Sequence, residues 1–363
     1  MKKLNIYNFK CFQDVTINLG QLNVLVGING TGKSSVIQAI LLADEAVSKK
    51  TKTGEVSLNE TYGMFLGTSA SVVNQDSGDN VIKISMKSEQ ETIWSVNFDI
   101  DAQEEQLGLP FSGIEENKKI KYDSLCFLSA ERLGPRIAQP MVQMETLDVG
   151  IQGEHTAQVI GGKSGRVKIR RECMFPNSRD PNLPAQVNFW LNKILPGIKI
   201  SANVDYKNLC AQLRVENKYA SANPLLATNI GFGISYVLPV ITAGLIAPKN
   251  SLMIVENPEA HLHPAAQSEI GKFLAMIAMS GVMVILETHS DHIINGIQIY
   301  VAEHPDFSSS VIINNFSSND NAKQPEIKSI TISPRGEIEN WPKGFMDQAQ
   351  IDYITLNKIQ CGM

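Results

Sequence analysis

An octapeptide near the amino terminus constrains the fold more than any other feature of this sequence. Gly27-Ile-Asn-Gly-Thr-Gly-Lys33-Ser34 matches the pattern G-x-x-x-x-G-K-[ST]. An apolar run from Leu22 to Val26 precedes it, and apolar residues at helical spacing follow it from Ser35 to Ala46. A glycine-rich turn between a strand and a helix is the context in which this pattern cradles phosphate groups.

The octapeptide predicts a binding site for ATP and Mg²⁺. Glycine adopts the backbone dihedral angles that turn N–H groups towards phosphate oxygens. Lys33 would reach the β- and γ-phosphates, and the hydroxyl of Ser34 would bind Mg²⁺. The predicted nucleotide-binding residues of this P-loop are Asn29, Gly30, Thr31, Gly32, Lys33, Ser34 and Ser35.

The order of the predicted elements indicates an α/β protein with two lobes. Two short strands over 2–8 and 14–18 open the chain, and residues 51–125 hold short alternating segments that predict an antiparallel sheet. Residues 140–225 show a mixture of secondary-structure patterns. From residue 226 onward helices (234–246, 265–280, 291–303) alternate with strands (252–256, 282–287, 310–316), which is typical of a parallel sheet. The chain has no heptad run, so we expect no long coiled coil.

Composition argues against several classes of protein. The net charge is −5, and the five cysteines include no CxxC pair, which disfavours a basic nucleic-acid-binding protein, a disulfide framework and a zinc site. The longest apolar stretch, Tyr236 to Pro248, is too short to span a bilayer. We therefore expect a cytoplasmic protein without a membrane partner.

Any DNA contact would have to be local. The segment from Lys163 to Arg171 holds five basic residues. Within it, basic residues alternate with Val167 and Ile169, which predicts a strand with one charged face. That face is either a solvated outer surface or a surface for a phosphate backbone or a partner protein.

Two motifs in the second half of the chain complete the predicted site. Leu252 to Glu256 is an apolar strand that ends in a carboxylate, the form of a Walker B element, and such a carboxylate can hold Mg²⁺ through water. The run Asn257-Pro-Glu-Ala-His-Leu-His-Pro264 follows it, and Thr288-His289-Ser290 follows the strand over 282–287. These runs resemble the ABC-type ATPases of the SMC, RecF and OLD-nuclease kind. The resemblance implies that His289 contacts the γ-phosphate.

A segment before the Walker B strand stands where this family has its signature motif. It runs from Thr228 to Ser235 and departs from the usual L-S-x-G-x-Q, because Gly231 occupies the place of the serine. The resemblance implies that this segment touches the γ-phosphate of the opposite subunit, with Asn229, Gly231, Gly233 and Ser235 as candidates. ATP would then be sandwiched in a homodimer or higher homo-oligomer.

One departure from the family bears on catalysis. When the chain is aligned with this family on the shared run from Pro258 to Pro264, Glu256 takes the magnesium-binding position and Asn257 takes the place of the catalytic glutamate. Asparagine can orient a water molecule but cannot accept its proton. Either Glu256 or Glu259 supplies the base, or hydrolysis is slow and ATP acts chiefly as a dimerisation switch. The sequence leaves these alternatives open.

Two further runs resemble a bacterial subgroup of these ATPases. They are Leu128 to Arg136, in which Glu131 and Arg132 form either an ion pair or a nucleotide-sensing element, and the tail Ile338 to Asp347, which is similar to a W-P-x-G-F-F-D domain. We expect Trp341 and Phe345 to anchor this tail by packing, and the alternative is that they mark an interface with a partner.

The resemblance implies an ATPase head over residues 1–316 and a short appendage over 317–363. Related subgroups work in phage-defence systems, commonly beside a nuclease. The implied function is a regulatory or sensor ATPase that controls a separate effector, such as a nuclease. The alternatives are an OLD-like DNA-processing protein or DNA-repair ATPase, and a non-hydrolysing, ATP-dependent binding module.

Overall fold

The computed structural model describes residues 1–361 apart from 50, 90, 102–104, 118–121, 163–166, 220–223, 230, 320–321, 341–344 and 346. The strands of this part of the chain are β1 (Lys2–Phe9), β2 (Phe12–Leu19), β3 (Leu22–Gly27), β4 (Gly54–Ser57), β5 (Val81–Lys87), β6 (Thr92–Asp99), β7 (Gly108–Glu116), β8 (Leu125–Leu128), β9 (Gln139–Pro140), β10 (Ile198–Asp205), β11 (Cys210–Asn217), β12 (Leu225–Leu226), β13 (Leu252–Glu256), β14 (Met283–Glu287), β15 (Val311–Ser317) and β16 (Glu326–Thr331).

The helices confirm the predicted alternation in the second half. They are α1 (Lys33–Ser48), α2 (Ser69–Val72), α3 (Thr156–Gly161), α4 (Leu183–Ile194), α5 (Phe232–Ile246), α6 (Pro264–Met279), α7 (Asp291–Glu303) and α8 (Gln348–Gln360). Among the described helices none is both long and apolar enough to cross a membrane.

A six-stranded sheet in the order β16-β15-β3-β14-β13-β8 positions the predicted site. Its five inner and edge strands from β15 to β8 run parallel, and only β16 is antiparallel to its neighbour. The strands β3, β13 and β14 are nearly continuous apolar runs, because both faces of a parallel sheet are covered. The carboxyl ends of the parallel strands therefore meet at one edge.

The parallel sheet separates two hydrophobic cores. Leu25, Ile254 and Ile285 face α1 and the antiparallel sheet β2-β1-β5-β6-β7-β4, whereas Val24 and Val255 face α4, α5, α6 and α7. In the antiparallel sheet β5 alternates buried and outward-facing residues, the period of a strand with one covered face. A smaller sheet joins β10, β11 and β12, with β9 beside β11. This arrangement confirms the predicted α/β architecture with an antiparallel lobe and a parallel-sheet lobe.

The predicted charged strand over 163–171 is wrong for the part of it that the structure describes. Residues 163–166 lie outside the described residues, and Lys168 forms an isolated bridge with Asn182. The guanidinium of Arg170 points inward and donates to the backbone carbonyls of Ala247 and Ser280. Arg170 therefore joins elements within the fold, because unpaired backbone carbonyls at the ends of α5 and α6 need donors.

The segment after residue 316 is joined to the parallel sheet by strand pairing. The expected boundary after residue 316 falls at the end of β15, and β16, which lies beyond it, pairs along its full length with β15. Phe345 is 2% exposed within the core on the helical side of the sheet, which confirms its predicted packing role. Trp341 lies outside the described residues.

Candidate nucleotide-binding site

The P-loop leaves the carboxyl end of β3 and enters α1. Gly27, Gly30 and Gly32 have φ angles of 132°, 79° and 93°, in the region that favours glycine. Space also requires glycine: a Cβ atom on Gly27 would collide with the backbone carbonyl of Phe316, and one on Gly32 would lie 2.6 Å from the Sγ atom of Cys11. The sequence pattern therefore encodes a backbone shape that other residues cannot adopt here.

Lys33 is buried at the base of this loop. It is 4% exposed, and its Nζ atom donates to the carbonyls of Gly27 and Ile28 at 2.9 Å each. Burial lowers the pKa of the Lys33 ammonium, while the nearby charge of Glu287 opposes that shift. The hydroxyl of Thr31 also donates to the carbonyl of Ile28, at 2.7 Å. These bonds hold the cation against the loop, where phosphate oxygens would bind.

A cavity of about 480 Å³ opens beside the loop. It brings together six of the seven predicted P-loop residues, because Thr31 is turned inward: Asn29, Gly30, Gly32, Lys33, Ser34 and Ser35. Four further lining residues were missed by the sequence analysis, namely Lys10, Cys11, Gln38 and Glu287. Lys10 Nζ donates to Gln38 Oε1 at 2.6 Å, so a second cation lies at this cavity. Its only sequence signal was its place in the turn between the two opening strands.

Two glutamates end neighbouring strands at the same height. Glu256 of β13 and Glu287 of β14 are paired in register. Burial raises the pKa of Glu256, against the opposing effects of the Ala130 N–H group and the Arg132 charge. Burial, reinforced by the charge of Glu256, raises the pKa of Glu287 to about 7, although the Ser34 hydroxyl opposes the shift. Burial thus raises the pKa of both carboxylates, and Glu287 is the one that lines the P-loop cavity.

The backbone after β13 is held by a buried arginine. Arg132 is 3% exposed and donates to the carbonyls of Ser129 at 3.0 Å, Glu256 at 2.8 Å and Asn257. Burial lowers the pKa of this guanidinium to about 10. The guanidinium also lies over the aromatic ring of Tyr236, with the Cζ atom of Arg132 5.4 Å from the ring centroid. These contacts favour a structural role for Arg132 over nucleotide sensing. The structural bonds go to backbone carbonyls, however, and not to Glu131, which is exposed.

Glu259 connects the loop after β13 with the loop after β14. Its Oε1 atom accepts the backbone N–H of His289 at 2.8 Å. Within the described residues, Glu259 Oε2 and Asn257 Oδ1 are buried without a hydrogen-bond partner. Burial lowers the pKa of the His289 imidazole, and the charge of Lys33 acts in the same direction. Ser290 caps α7 and donates to Gln267 at 2.6 Å, which gives it a structural role.

The candidate signature residues lie apart from the P-loop cavity. Asn229 ends a short 3₁₀ turn, and Gly231 is the N-cap of α5. A Cβ atom on Gly233 would lie 2.8 Å from the carbonyl oxygen of His261, whereas one on Gly231 would have no atom within 4 Å. Ser235 lines a different, small cavity. The structure therefore does not bring these four residues to the P-loop of their own chain.

Three family models match the chain in succession. An AAA ATPase domain matches residues 1–149, and an AAA domain whose description links it to the AbiEii toxin and Type IV TA systems matches residues 152–295. The chain is similar to AAA ATPases. The third model, described as a protein of unknown function (DUF3696), matches residues 308–356, which include β16 and most of α8.

Solved structures that resemble this chain include SMC heads. An SMC head bound to the C-winged helix domain of ScpA has a TM-score of 0.52 at 11% identity, with 91% of this chain and 97% of that chain covered. An Smc head with an extended coiled coil, bound to the C-terminal domain of ScpA derived from Pyrococcus furiosus, has a TM-score of 0.50 at 10% identity, covering 99% and 100%. At such identities the likeness is one of fold.

A curated relative matches over a short stretch. An OLD nuclease of Thermus scotoductus is 42% identical over 40 residues, which are 11% of this chain and 8% of that protein. The chain thus matches only a small part of that relative's length. Together the matches support an ATPase with the fold of an SMC head.

Proposed function

We propose that this chain is an ATP-binding and ATP-hydrolysing regulatory ATPase that dimerises around nucleotide. The observation that carries the proposal is the P-loop cavity, in which the buried Lys33 ammonium and the Ser34 hydroxyl lie at the carboxyl edge of a parallel sheet. Glycines with positive φ and an open cavity of about 480 Å³ fit a nucleotide triphosphate tail.

Each predicted residue has a role in this proposal. Lys33 neutralises the β- and γ-phosphates, and Ser34 and Glu256 hold Mg²⁺, which supplies charge neutralisation at the phosphates when it is bound. Glu259 and Glu256 are the candidate bases. His289 contacts the γ-phosphate, and the interaction of its imidazole with the charge of the P-loop residue Lys33 supports this role.

Dimerisation would complete the site. Asn229, Gly231, Gly233 and Ser235 do not line their own P-loop cavity, which supports a role for them at the nucleotide of a second copy. Gly231 is exposed at the start of α5, where backbone N–H groups are free to bind an anion. The proposed oligomer is a homodimer or a larger homo-oligomer with the head over residues 1–316 and the appendage over 317–363.

The test of this proposal is nucleotide binding and phosphate release by the purified chain. Lys33→Ala removes the buried ammonium, and we expect it to abolish ATP binding at micromolar nucleotide while the circular dichroism spectrum is unchanged. The matched control is Lys328→Ala, a change at a half-exposed lysine of β16. Equal ATP affinity of Lys33→Ala and the parent, measured by calorimetry, would refute the site.

The biological role that we propose is control of a separate effector, such as a nuclease, in bacterial defence against phage. The 40-residue likeness to an OLD nuclease and the toxin-linked description of the second AAA model support it. Bacteria that carry the gene with its neighbours should survive phage challenge better than bacteria that carry Lys33→Ala. Equal plaque counts would contradict the defence role.

A second candidate, a non-hydrolysing ATP-dependent binding module, is favoured by Asn257. Its side chain stands at the strand end where a base is expected, and it cannot accept a proton. ATP binding without phosphate release above the Lys33→Ala background would support this candidate over the enzyme.

A further inference from the structure

An acidic side chain outside both nucleotide-binding motifs lies at the P-loop. Glu287 is the last residue of β14, the strand between β3, which leads into the P-loop, and β13, which leads to Asn257. Glu287 is 7% exposed and lines the same cavity as Lys33 and Ser34. A carboxylate at the end of an otherwise apolar strand is costly to bury unless it has a partner of opposite charge.

The hydroxyl of Ser34 donates to the carboxylate of Glu287, so the two groups are near enough to share one metal ion. Ser34 Oγ lies 3.1 Å from Oε2 and 3.3 Å from Oε1 of Glu287. Magnesium binds oxygen atoms at about 2.0–2.1 Å in a near-octahedral arrangement, so that adjacent ligands lie about 2.9 Å apart. The hydroxyl and the carboxylate therefore stand close to the separation of two adjacent magnesium ligands.

Glu256, the carboxylate that the Walker B pattern indicates, has different surroundings. Its Oε2 atom accepts the Ala130 N–H at 2.9 Å, and its side chain lines a neighbouring cavity with Glu131 and Glu154. Of the two glutamates at these paired strand ends, Glu287 is the one on the P-loop side. The difference follows from strand order, because β14 is the direct neighbour of β3.

We propose that Glu287 is a magnesium-binding residue of this site and holds the ion together with the hydroxyl of Ser34. The inference rests on the proposed function, since the ion would be bound with nucleotide. Within the described residues, no group of three or more His, Cys, Asp and Glu side chains is placed to hold a metal. The Ser34 hydroxyl and phosphate oxygens would be the other direct ligands, as is common for Mg²⁺, and Glu256 would act through water.

The test is the magnesium dependence of nucleotide binding by the full chain. A fluorescent ATP analogue is titrated in EDTA and at increasing Mg²⁺. Glu287→Gln keeps the size of the side chain and an acceptor for Ser34 but removes the charge. We expect Glu287→Gln to raise at least tenfold the Mg²⁺ concentration that gives the half-maximal increase in binding of the analogue. In EDTA, the variant should bind the analogue as tightly as the parent or more tightly, because one charge that repels phosphate is gone.

Two further variants make the result specific. Glu303→Gln, the same change at an exposed residue at the end of α7, should leave the Mg²⁺ dependence unchanged. Ser34→Ala should shift the dependence in the same direction as Glu287→Gln, and the double variant should shift it by less than the product of the two fold-changes, because both residues hold one ion.

Three results would overturn the inference. One is an unchanged Mg²⁺ dependence in Glu287→Gln, and another is an equal loss of binding in EDTA and in Mg²⁺, which would indicate a structural role. The third is a double variant whose fold-change equals the product of the single ones. A parent chain that binds no nucleotide in either condition would refute the proposed function itself, and the inference with it.

Discussion

At the scale of single residues, Asn257 is the position that bears on the choice between the two proposed functions. It has a φ of 43°, a left-handed conformation that asparagine tolerates better than most residues. The guanidinium of Arg132 donates to the backbone carbonyl of Asn257, and this hydrogen bond does not involve the asparagine side chain. Its Oδ1 atom is buried and has no hydrogen-bond partner within the described residues, so the side chain would have to move in order to orient a water molecule.

Asn257→Glu is expected to raise the rate of ATP hydrolysis. The change restores a carboxylate at the strand end, and a general base contributes about 10²–10⁴-fold to such reactions. Arg132 lies beside it and would help to stabilise the added charge. Phosphate release at saturating ATP measures the effect, and Asn257→Gln, which matches glutamate in size without the charge, is the control. A rate no higher than that of the parent would show that dimer closure or product release is limiting.

At the scale of elements, α6 and α7 are packed against each other through glycines. The loop after β13 leads into α6, and the loop after β14 leads into α7. A Cβ atom on Gly271 of α6 would collide with the carbonyl of Ile293, and one on Gly296 of α7 would collide with the carbonyl of Ser268. This close approach packs together the two helices that begin after the loops of Glu259 and His289.

Gly296→Ala is expected to destabilise the fold by about 1–3 kcal/mol, the range for overpacking a tight contact. The added methyl group has no space unless α7 moves away from α6. Urea denaturation followed by circular dichroism measures the change. Gly78→Ala is the matched control, because a Cβ atom there has no neighbour within 4 Å. Equal stability of the two variants would mean that the helices separate without cost.

At the scale of the whole molecule, the P-loop and the signature segment face different surroundings. P-loop residues line the cavity beside Lys33, whereas Ser235 lines a separate small cavity. A bulky residue at Gly233 would disturb its own chain at His261, whereas Gly231 is open. Gly231 is therefore the better position for probing a contact with a second copy.

Gly231→Arg is expected to prevent ATP-dependent dimerisation without unfolding the monomer. The side chain would project from the start of α5 into the space that a second head would occupy. Light scattering with and without ATP measures the mass, and Gly78→Arg, at another open glycine, controls for added charge. A variant that doubles its mass with ATP as the parent does would remove the signature segment from the interface. A parent that is dimeric without ATP would contradict nucleotide-driven assembly.

The sequence by itself determined the features that depend on local order. The P-loop, the strand Leu252–Glu256 and the helix Asp291–Glu303 were predicted with their observed bounds or close to them, because glycine conformations, apolar periodicity and capping residues act over a few positions. The alternation of helices and strands likewise predicted a parallel sheet.

Only the tertiary structure decided which residues meet across the chain. Strand order places β14 next to β3, and this brings Glu287 to Ser34 although 253 positions separate them. The inward turn of Arg170 and the pairing of β16 with β15 were also beyond the sequence pattern. The physical reason is that an apolar strand can pair with several others equally well by pattern, and the choice is made by packing of the whole core, which no local signal records.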